Sequence, residues 1–320
     1  MRDNFGRNID YIRLSLTDLC QLRCGYCVPD ENVSCLKAHE QLTYDEIKEI
    51  VAVFSTLGVK KVKLTGGEPL LYPKIMSLIQ DLKKLTGIEE VTLTTNGIKL
   101  PETMADLVKA GLDSVNISLD TLNPVHYAEI TRVGRLEDAL KGVTAAVESQ
   151  IKKVKVNTVL LPSLTEADLR SLVNLAKDTR ANVRFIEKMP MGNQVATSAL
   201  SEAEIKHLLT QHYGEVTPFL QPLGNGPARY YEVEGFKGKV GFISAMSRHF
   251  CETCNRMRVT SDGFLKTCLA FSHGVNLKQA ISDGCLEAKI LEALQEKPKR
   301  HLFGQEVENK ELKSMIQIGG

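Results

Sequence analysis

This sequence has almost no net charge, because its 40 basic residues are balanced by 39 acidic ones. The chain is therefore no polycation, and nucleic acid is not expected as its main partner, although a local basic cluster is compatible with this balance. A hydrophobic run of membrane-spanning length is also missing, and segment 1–9 is polar and lacks the apolar core of a signal peptide. These absences predict a cytoplasmic protein without membrane attachment.

Disulfide bonds are not expected either, although the chain contains eight cysteines. A reducing compartment keeps thiols free, so cysteines that cluster in sequence are better interpreted as metal ligands. Two groups of three fit this description, whereas Cys35 and Cys285 stand apart and are expected to be ordinary thiols. The length of 320 residues allows one large domain and a smaller one.

The first cysteine group has C-x3-C-x2-C spacing and consists of Cys20, Cys24 and Cys27. It follows the strand-like run 11–16, so we expect a loop at the carboxyl end of a first strand. Three thiolates on one loop suit an iron–sulfur cluster or zinc. A four-iron cluster held by three cysteines keeps one iron open to a reacting molecule, whereas a closed structural metal site would need Cys35 as a fourth ligand.

Residues 10–190 alternate between strand-like and helix-like segments. The predicted strands are 11–16, 61–65, 90–94, 113–119, 153–160 and 182–187. In the first predicted helix, Thr43 and Glu46 form a capping box and Gly58 supplies the stop. Strands that alternate with helices in this way pair in parallel through right-handed crossovers.

Each predicted strand is apolar on one face and polar on the other, as where Ile12 alternates with Arg13. A doubly wound sheet is covered on both faces and would have nearly continuous apolar strands. A closed eight-stranded barrel would fill its interior with branched apolar side chains. We therefore predict an α/β fold: an incomplete (β/α)6 TIM-type barrel with a polar lumen over residues 1–215, followed by a smaller C-terminal α+β region over residues 216–320.

The polar faces of four predicted strands carry positive charge, at Arg13, Lys63, Lys155 and Arg184. Their convergence in the lumen favours an anionic substrate, and phosphate groups fit such a site best. The alternative is a solvated sheet face on which these charges are merely scattered.

Beyond the last predicted barrel strand, the pattern changes. Segment 201–212 predicts a short amphipathic helix, and the Pro- and Gly-rich segment 218–227 predicts a linker. Segments 229–233 and 239–245 predict two strands outside the barrel repeat. The charged run 297–300 predicts a solvated helix end.

The second cysteine group lies in this C-terminal region and consists of Cys251, Cys254 and Cys268. It suits either a second iron–sulfur cluster or a zinc site. The zinc site would borrow one of three further residues: His249, His273 or Cys285. Arg256 and Arg258 alternate in the strand-like segment that follows, so both side chains can point the same way.

A Gly66-Gly67-Glu68 turn follows the second predicted strand. Two glycines let a backbone approach a ligand closely, and Glu68 is an acceptor suited to a cationic amine. Together with the first cysteine group, this turn resembles the radical S-adenosylmethionine enzymes. The resemblance implies a [4Fe-4S] cluster on the first cysteine group. It also implies S-adenosyl-L-methionine as a cofactor, with contacts at Tyr26, Gly66, Gly67, Glu68, Ser118 and Met189.

Motifs along the whole chain resemble, more specifically, the GTP 3′,8-cyclases of molybdenum cofactor biosynthesis. They lie at 17–27, 65–69, 94–97, 116–120, 184–187, 251–258, 261–263 and the terminal Gly319-Gly320. The resemblance implies a radical lyase that converts GTP to (8S)-3′,8-cyclo-7,8-dihydroguanosine 5′-triphosphate in the first step of that biosynthesis. It also implies a second [4Fe-4S] cluster on the second cysteine group.

The same resemblance assigns the substrate site between the two clusters. GTP would contact Arg13, Lys63, Thr94, Lys155, Arg184, Arg256 and Arg258. Lys63 stands where the family commonly has Arg, so it offers charge without a bidentate fork. Gly319 and Gly320 would form a catalytic tail that reaches into the site. The implied partners are an external electron donor and the downstream cyclic pyranopterin monophosphate synthase, and a homodimer is left open.

Two other classes of function stay open on the sequence alone. A peptide-maturing radical enzyme also carries auxiliary clusters, but it would have more C-terminal cysteines than the second group supplies. A non-catalytic metal-binding protein would have no use for a lumen lined with Arg13, Lys155 and Arg184.

Overall fold

One continuous sheet runs through the protein, in a computed structural model that describes residues 1–28, 35–37, 39–191, 200–303, 305 and 310–319. Its strands are β1 Tyr11–Ser15, β2 Lys61–Thr65, β3 Glu90–Thr95, β4 Ser114–Ser118, β5 Lys153–Leu160, β6 Asn182–Glu187, β7 Val216–Phe219, β8 Arg229–Val233, β9 Val240–Ile243, β10 Arg256–Val259, β11 Phe264–Lys266 and β12 Gly274–Asn276. The helices are α1 Tyr44–Thr56, α2 Ile75–Lys84, α3 Leu100–Lys109, α4 Pro124–Thr131, α5 Leu136–Glu148, α6 Glu166–Asp178, α7 Glu202–Tyr213, α8 Leu277–Ser282, α9 Leu286–Gln295 and α10 Met315–Ile318. Within these ranges, no helix has the length and apolar character needed to cross a membrane.

Local sequence signals set the helix boundaries. Helix α1 begins after Thr43, whose hydroxyl accepts from the Glu46 N–H while the Glu46 carboxylate accepts from the Thr43 N–H. The helix ends before Gly58, whose φ of 94° is one that side-chain-bearing residues rarely adopt. The predicted capping box is confirmed, and α6 and α7 begin with the same motif at Thr165 and Ser201.

Strands β1 to β6 pair in parallel in chain order. Helices connect them, and the strand bounds agree with the prediction to within one residue at each end. The sheet order ends at β12 on one side and β7 on the other, so the barrel is open. The predicted α/β fold with an incomplete six-unit barrel is confirmed.

The C-terminal strands extend this barrel sheet at both edges. β9 pairs in parallel with β6, and β10 pairs in parallel with β1. Segments 229–233 and 239–245 contain strands outside the barrel repeat, as predicted, and these strands continue the barrel sheet. The physical reason is that the edge strands of an open barrel present unpaired backbone groups, which added strands satisfy.

The predicted linker 218–227 is wrong at its start, because positions 218 and 219 belong to strand β7. A proline normally argues against a strand, since it lacks the N–H that a ladder needs. Pro218 is tolerated because, in the part of the chain that the structure describes, β7 is the outermost strand of the sheet and pairs on one side only.

The apolar faces of the strands build the core with the helices. Ile12 and Leu14 of β1 are fully buried in the same cluster as Ile50 and Phe54 of α1. Each such side chain contributes about 1.5–3 kcal/mol when it is buried. The alternate side chains point away from this core, so the polar faces of the strands line the lumen.

Candidate active site

The first cysteine group lies on the loop after β1, at the carboxyl end of the parallel strands. Cys20, Cys24 and Cys27 line a cavity of about 240 Å³. The backbone N–H groups of Cys27 and Val28 both donate to the Cys24 carbonyl at 2.9 Å, which folds the loop into a tight turn. Burial raises the pKa of all three thiols, that of Cys27 to about 12. These thiols therefore need a bound cationic group to ionise, which a metal centre provides.

The Gly66-Gly67 turn after β2 packs against the cysteine loop. The Gly67 N–H donates to the Thr17 carbonyl at 2.6 Å, and a Cβ atom on Gly67 would lie 2.3 Å from the Leu19 carbonyl oxygen. Both glycines also line the cavity that holds the three thiols. Because Gly66 and Gly67 have no side chains, their backbone can pack against the cysteine loop and also line the cavity.

Glu68 is buried behind this turn, and protein donors engage both of its carboxylate oxygens. One oxygen accepts from the Thr95 hydroxyl at 2.7 Å and from the Leu70 N–H at 3.0 Å, and the other accepts from the Asn96 N–H at 2.8 Å. Burial raises the pKa of Glu68 to about 7, although these hydrogen bonds oppose the shift. The Asn96 amide nitrogen in turn lies 3.9 Å from the Cys20 sulfur. Glu68 therefore ties the loop after β3 to the cysteine loop.

Tyr26, Ser118 and Met189, which the sequence assigns to S-adenosylmethionine, line the same cavity as the three thiols. The Tyr26 hydroxyl donates to Asp120 at 2.9 Å, and Asp120 also accepts from the Val159 N–H at 2.8 Å. Burial raises the pKa of Asp120 to about 6. The structure thus brings loops after β1, β2, β4 and β6 around one cavity.

Three buried polar atoms at the lumen walls have no hydrogen-bond partner among the residues that the structure describes. They are the hydroxyl of Tyr127, beside the thiols, and the hydroxyl of Ser114 and Oδ1 of Asn116, both deeper in the lumen. An unpaired buried polar atom costs about 1–3 kcal/mol, so such atoms mark positions that a bound group can complete. Three soft thiol donors beside a cavity with these walls fit an iron–sulfur cluster and an adjacent polar cofactor.

Strand register gathers the basic residues in the lumen. Arg13 on β1 lies opposite Lys63 on β2 and, on the other side, opposite Arg258 on β10. A cavity of about 80 Å³ is lined by Arg13, Lys63, Lys155, Arg184 and Arg256. The 240 Å³ cavity is lined by Arg13, Thr94 and Arg258. Because Arg13 borders both, the two cavities are adjoining parts of one lumen.

These cations repel one another where little water reaches. Burial and the charge of Lys155 lower the pKa of Lys63 well below its ordinary value. Burial and the charge of Arg184 lower the pKa of Lys155 to about 7. The guanidinium of Arg184 is held in place, since its Nε donates to Asn157 Oδ1 at 2.8 Å. An anion with several charges, such as a polyphosphate, would relieve this repulsion.

The C-terminal tail enters the lumen as far as Gly319, and Gly320 lies outside the described residues. Ile316 and Ile318 in α10 are buried, and the Gly319 carbonyl accepts from Arg258 Nη1 at 3.2 Å. Gly319 has a φ of 87°, and a Cβ atom there would lie 2.6 Å from the Cβ of Ser15. Only glycine fits this position without displacing its neighbours.

The second cysteine group flanks strands β10 and β11. Cys251 and Cys254 precede β10, and Cys268 follows β11, which pairs with β10 in antiparallel fashion. Burial alone would raise the pKa of Cys254, but Lys297 and Arg256 lower it to about 7. Across the described ranges, no three His, Cys, Asp or Glu side chains are grouped as the ligands of a single metal ion would be.

Lys297 contradicts the expectation of a solvated helix end at 297–300. Its side chain is buried, and its ammonium group donates to the carbonyls of Arg256 and Thr267. Lys299 and Arg300 are exposed, as expected. The prediction fails because the chain turns inward after α9, beneath the second cysteine group, and a run of like charges carries no signal for that turn.

Sequence reasoning also misses polar residues that shape the lumen. The alternation of β5 places Asn157 on the polar face but does not reveal its bond to Arg184. The Asn225 amide donates to Glu90 at 2.6 Å, so the loop between β7 and β8 lines the amino-terminal end of the lumen. The Tyr127 hydroxyl lies on a helix whose sequence gives no indication of the cavity.

Comparisons with known proteins agree along the whole chain. Residues 14–176 match the family model described as Radical SAM superfamily, and residues 181–303 match the one described as Molybdenum Cofactor Synthesis C. The chain is 42% identical over 324 residues to the GTP 3′,8-cyclase of Clostridium perfringens (strain 13 / Type A), with 100% of both chains covered. It is 45% identical over 327 residues to the GTP 3′,8-cyclase of Petrotoga mobilis, again with 100% of both chains covered.

Among solved structures, Streptococcus suis SuiB bound to S-adenosylmethionine is similar in fold. It matches with a TM-score of 0.61 at 19% identity, over 89% of this chain and 68% of that chain. At this identity the likeness concerns the fold alone. The full-length relatives and the two family models are stronger evidence of the family than this structural likeness. Each cysteine group falls within a region that one of the family models matches. On these grounds the chain belongs to the GTP 3′,8-cyclase family within the radical SAM superfamily.

Proposed function

We propose that this protein converts GTP to (8S)-3′,8-cyclo-7,8-dihydroguanosine 5′-triphosphate, the first step of molybdenum cofactor biosynthesis. One observation carries the proposal: a single lumen combines three partly buried thiols at one end with buried and partly buried cations along its walls. The thiols suit a radical-generating cluster, and the cations suit a triphosphate. The full-length relatives named GTP 3′,8-cyclase support the same reaction.

At the first site, Cys20, Cys24 and Cys27 would hold a [4Fe-4S] cluster through three thiolates. The residues that would contact S-adenosyl-L-methionine are Tyr26, Gly66, Gly67, Glu68, Ser118 and Met189. When bound, the cluster and this cofactor supply a carbon radical that can abstract a hydrogen atom from a ribose. Loops after four strands line this cavity, so they would restrict the access of water to this position.

GTP would bind deeper in the lumen, with its triphosphate among the basic side chains. Its contacts would be Arg13, Lys63, Thr94, Lys155, Arg184, Arg256 and Arg258. Arg184 is oriented by Asn157 before the substrate arrives, so less conformational freedom is lost on binding. Lys63 would supply charge, while the arginines would add directional hydrogen bonds.

Cys251, Cys254 and Cys268 would hold a second [4Fe-4S] cluster, and the guanine base of GTP would bind beside it. Strand β10 supports this arrangement, since Arg256 and Arg258 lie in that strand, two and four residues after Cys254. One rigid strand would therefore set the distance between the base and the phosphates. The ribose would then lie between the two clusters, where the radical reaches it.

Gly319 and Gly320 would act as the catalytic tail that orients the ribose. The contact between Arg258 and the Gly319 carbonyl supports this role, because it anchors the tail to a residue proposed to bind phosphate. An external electron donor would start the reaction, and cyclic pyranopterin monophosphate synthase would take the product. The reaction would proceed in the cytoplasm without nucleic acid or membrane, and a homodimer is compatible with it.

Anaerobic reconstitution tests the proposal most simply. Iron and sulfide content are measured first, and deoxyadenosine and cyclised nucleotide are then measured with S-adenosylmethionine and reductant, with and without GTP. We expect two clusters per chain and a strong rise of both products when GTP is added. A peptide-maturing enzyme would not respond to GTP, and a non-catalytic metal-binding protein would release no deoxyadenosine.

A further inference from the structure

Lys297 is a buried cation at the second cysteine group. Only 3% of its surface is exposed, and its ammonium group donates to the carbonyls of Arg256, at 2.9 Å, and Thr267. Arg256 stands two residues after Cys254, and Thr267 directly precedes Cys268. One ammonium group thus ties together the two backbone segments that carry these two cysteines.

The partners of Lys297 differ from those of the other buried cations nearby. Arg7 pairs with the carboxylate of Asp3 at 2.5 Å, and Lys266 pairs with the carboxylate of Glu311. Both partners of Lys297 are neutral carbonyls. The positive charges of Arg7 and Lys266 are therefore neutralised locally, whereas no carboxylate among the residues that the structure describes pairs with Lys297.

The cysteines on the two segments that Lys297 joins, Cys254 and Cys268, would favour its positive charge as thiolates. A buried ammonium group without a counter-ion is strongly destabilising, because desolvation costs several kcal/mol per ion. A negatively charged group at these two cysteines would supply the counter-ion that the described part of the chain does not provide. A cluster ligated by thiolates has that charge, and nearby cations and hydrogen bonds set its reduction potential.

We propose that Lys297 is a positioning and charge-balancing residue of the second cluster: it holds the segments of Cys254 and Cys268 together and raises the cluster's reduction potential. This inference rests on the proposed second [4Fe-4S] cluster. Reduction adds negative charge, so a fixed positive charge nearby favours the reduced form. Removal of that charge makes the second cluster harder to reduce.

The test compares Lys297→Met, Lys297→Arg and the exposed control Lys299→Met in reconstituted protein. A redox titration monitored by electron paramagnetic resonance follows the first cluster by its response to S-adenosylmethionine and the second by its response to GTP. We expect Lys297→Met to lower the ratio of reduced to oxidised second cluster about tenfold at a given potential, a shift of about 59 mV for one electron. Lys297→Arg and Lys299→Met should titrate like the parent protein, and the first cluster should be unchanged in all variants.

Each outcome decides the matter. If Lys297→Met assembles two clusters with the parental potential, the inference is wrong while the proposed function stands. If only Lys297→Met loses iron from the second site and Lys297→Arg keeps it, the need for a cation is supported. Loss in both variants would instead show a requirement for the lysine shape and overturn the role of charge. A parent protein that binds one cluster only would contradict the proposed function itself.

Discussion

The affinity for GTP should fall steeply as the pH rises above 7, because Lys155 loses its proton in the free protein. Burial and the charge of Arg184 lower the pKa of Lys155 to about 7. A bound phosphate would return this pKa towards 10.5, the ordinary value for lysine. Binding thus takes up a proton, and affinity is lost as the pH rises through the pKa of the free protein.

The size of the loss follows from the two pKa values. With a free pKa of about 7, roughly half of the Lys155 side chains are charged at pH 7 and about one in a hundred at pH 9. The dissociation constant should therefore rise about 50-fold over this range, or about 2 kcal/mol. The terminal phosphate has a second pKa near 6, so it keeps its charge throughout. The pKa of Lys63 is lowered as well, so uptake of a proton by Lys63 on binding would add to this loss.

Isothermal titration calorimetry of reconstituted protein without reductant measures this effect directly. Titrations at pH 7, 8 and 9 in buffers with different ionisation heats yield both the dissociation constant and the number of protons bound. Guanosine, which lacks phosphates, should show little dependence on pH. Lys155→Met should bind GTP more weakly at pH 7 and show a much flatter profile.

Lys152→Met serves as the matched control, since this nearby lysine is largely exposed and pairs with Asp113 outside the lumen. It should retain the full pH dependence. A profile for Lys155→Met as steep as that of the parent protein would refute the reasoning. So would binding of GTP without uptake of protons at pH 8.

Three further predictions concern the cysteines, an arginine and the tail. Cys24→Ala should abolish cleavage of S-adenosylmethionine, whereas Cys268→Ala should keep some uncoupled cleavage but stop cyclisation. Equal loss of cleavage in the two folded variants would contradict separate roles for the two cysteine groups. Arg184→Ala should weaken GTP binding by about one to two decades, since a charge-assisted hydrogen bond contributes about 1.5–3 kcal/mol. An equal loss of guanosine binding would show that Arg184 does not contact the phosphates. Gly319→Ala should leave clusters and melting temperature nearly unchanged yet strongly reduce cyclised product, because its Cβ would lie 2.6 Å from β1. Gly214→Ala, at a similar φ of 88° with open space around it, is the matched control, and coupled turnover in Gly319→Ala would contradict the role of the tail.

Alternation and capping signals predict most of the barrel, because a strand with one apolar face can pair and pack in only one register. The boundaries of β2 and the capping box of α1 show this directly. The same alternation predicts that Arg13 and Lys63 share a lumen, which the register between β1 and β2 brings side by side. The family of the chain is also recognisable from its motifs, because cysteine spacing is fixed by ligand geometry.

Tertiary placement of short loops and single side chains could not be predicted. Lys297 is buried because the chain after α9 turns beneath two cysteine segments that are distant in sequence. Strand β7 includes a proline, a residue that local propensity disfavours in strands. The proline is tolerated because β7 lies at the edge of the sheet. The hydrogen bond between the side chains of Asn225 and Glu90 joins residues far apart along the chain, so no local sequence pattern predicts it.

The fate of the ribose hydrogen tests the central claim most directly. Reconstituted protein is incubated anaerobically with S-adenosylmethionine, reductant and GTP that carries deuterium at the ribose 3′ position. The account predicts that deuterium appears in deoxyadenosine and that cyclised nucleotide forms in about equal amount, because the proposed binding mode would place the ribose beside the first cluster. Deoxyadenosine without deuterium, or release that does not depend on GTP, would contradict the account.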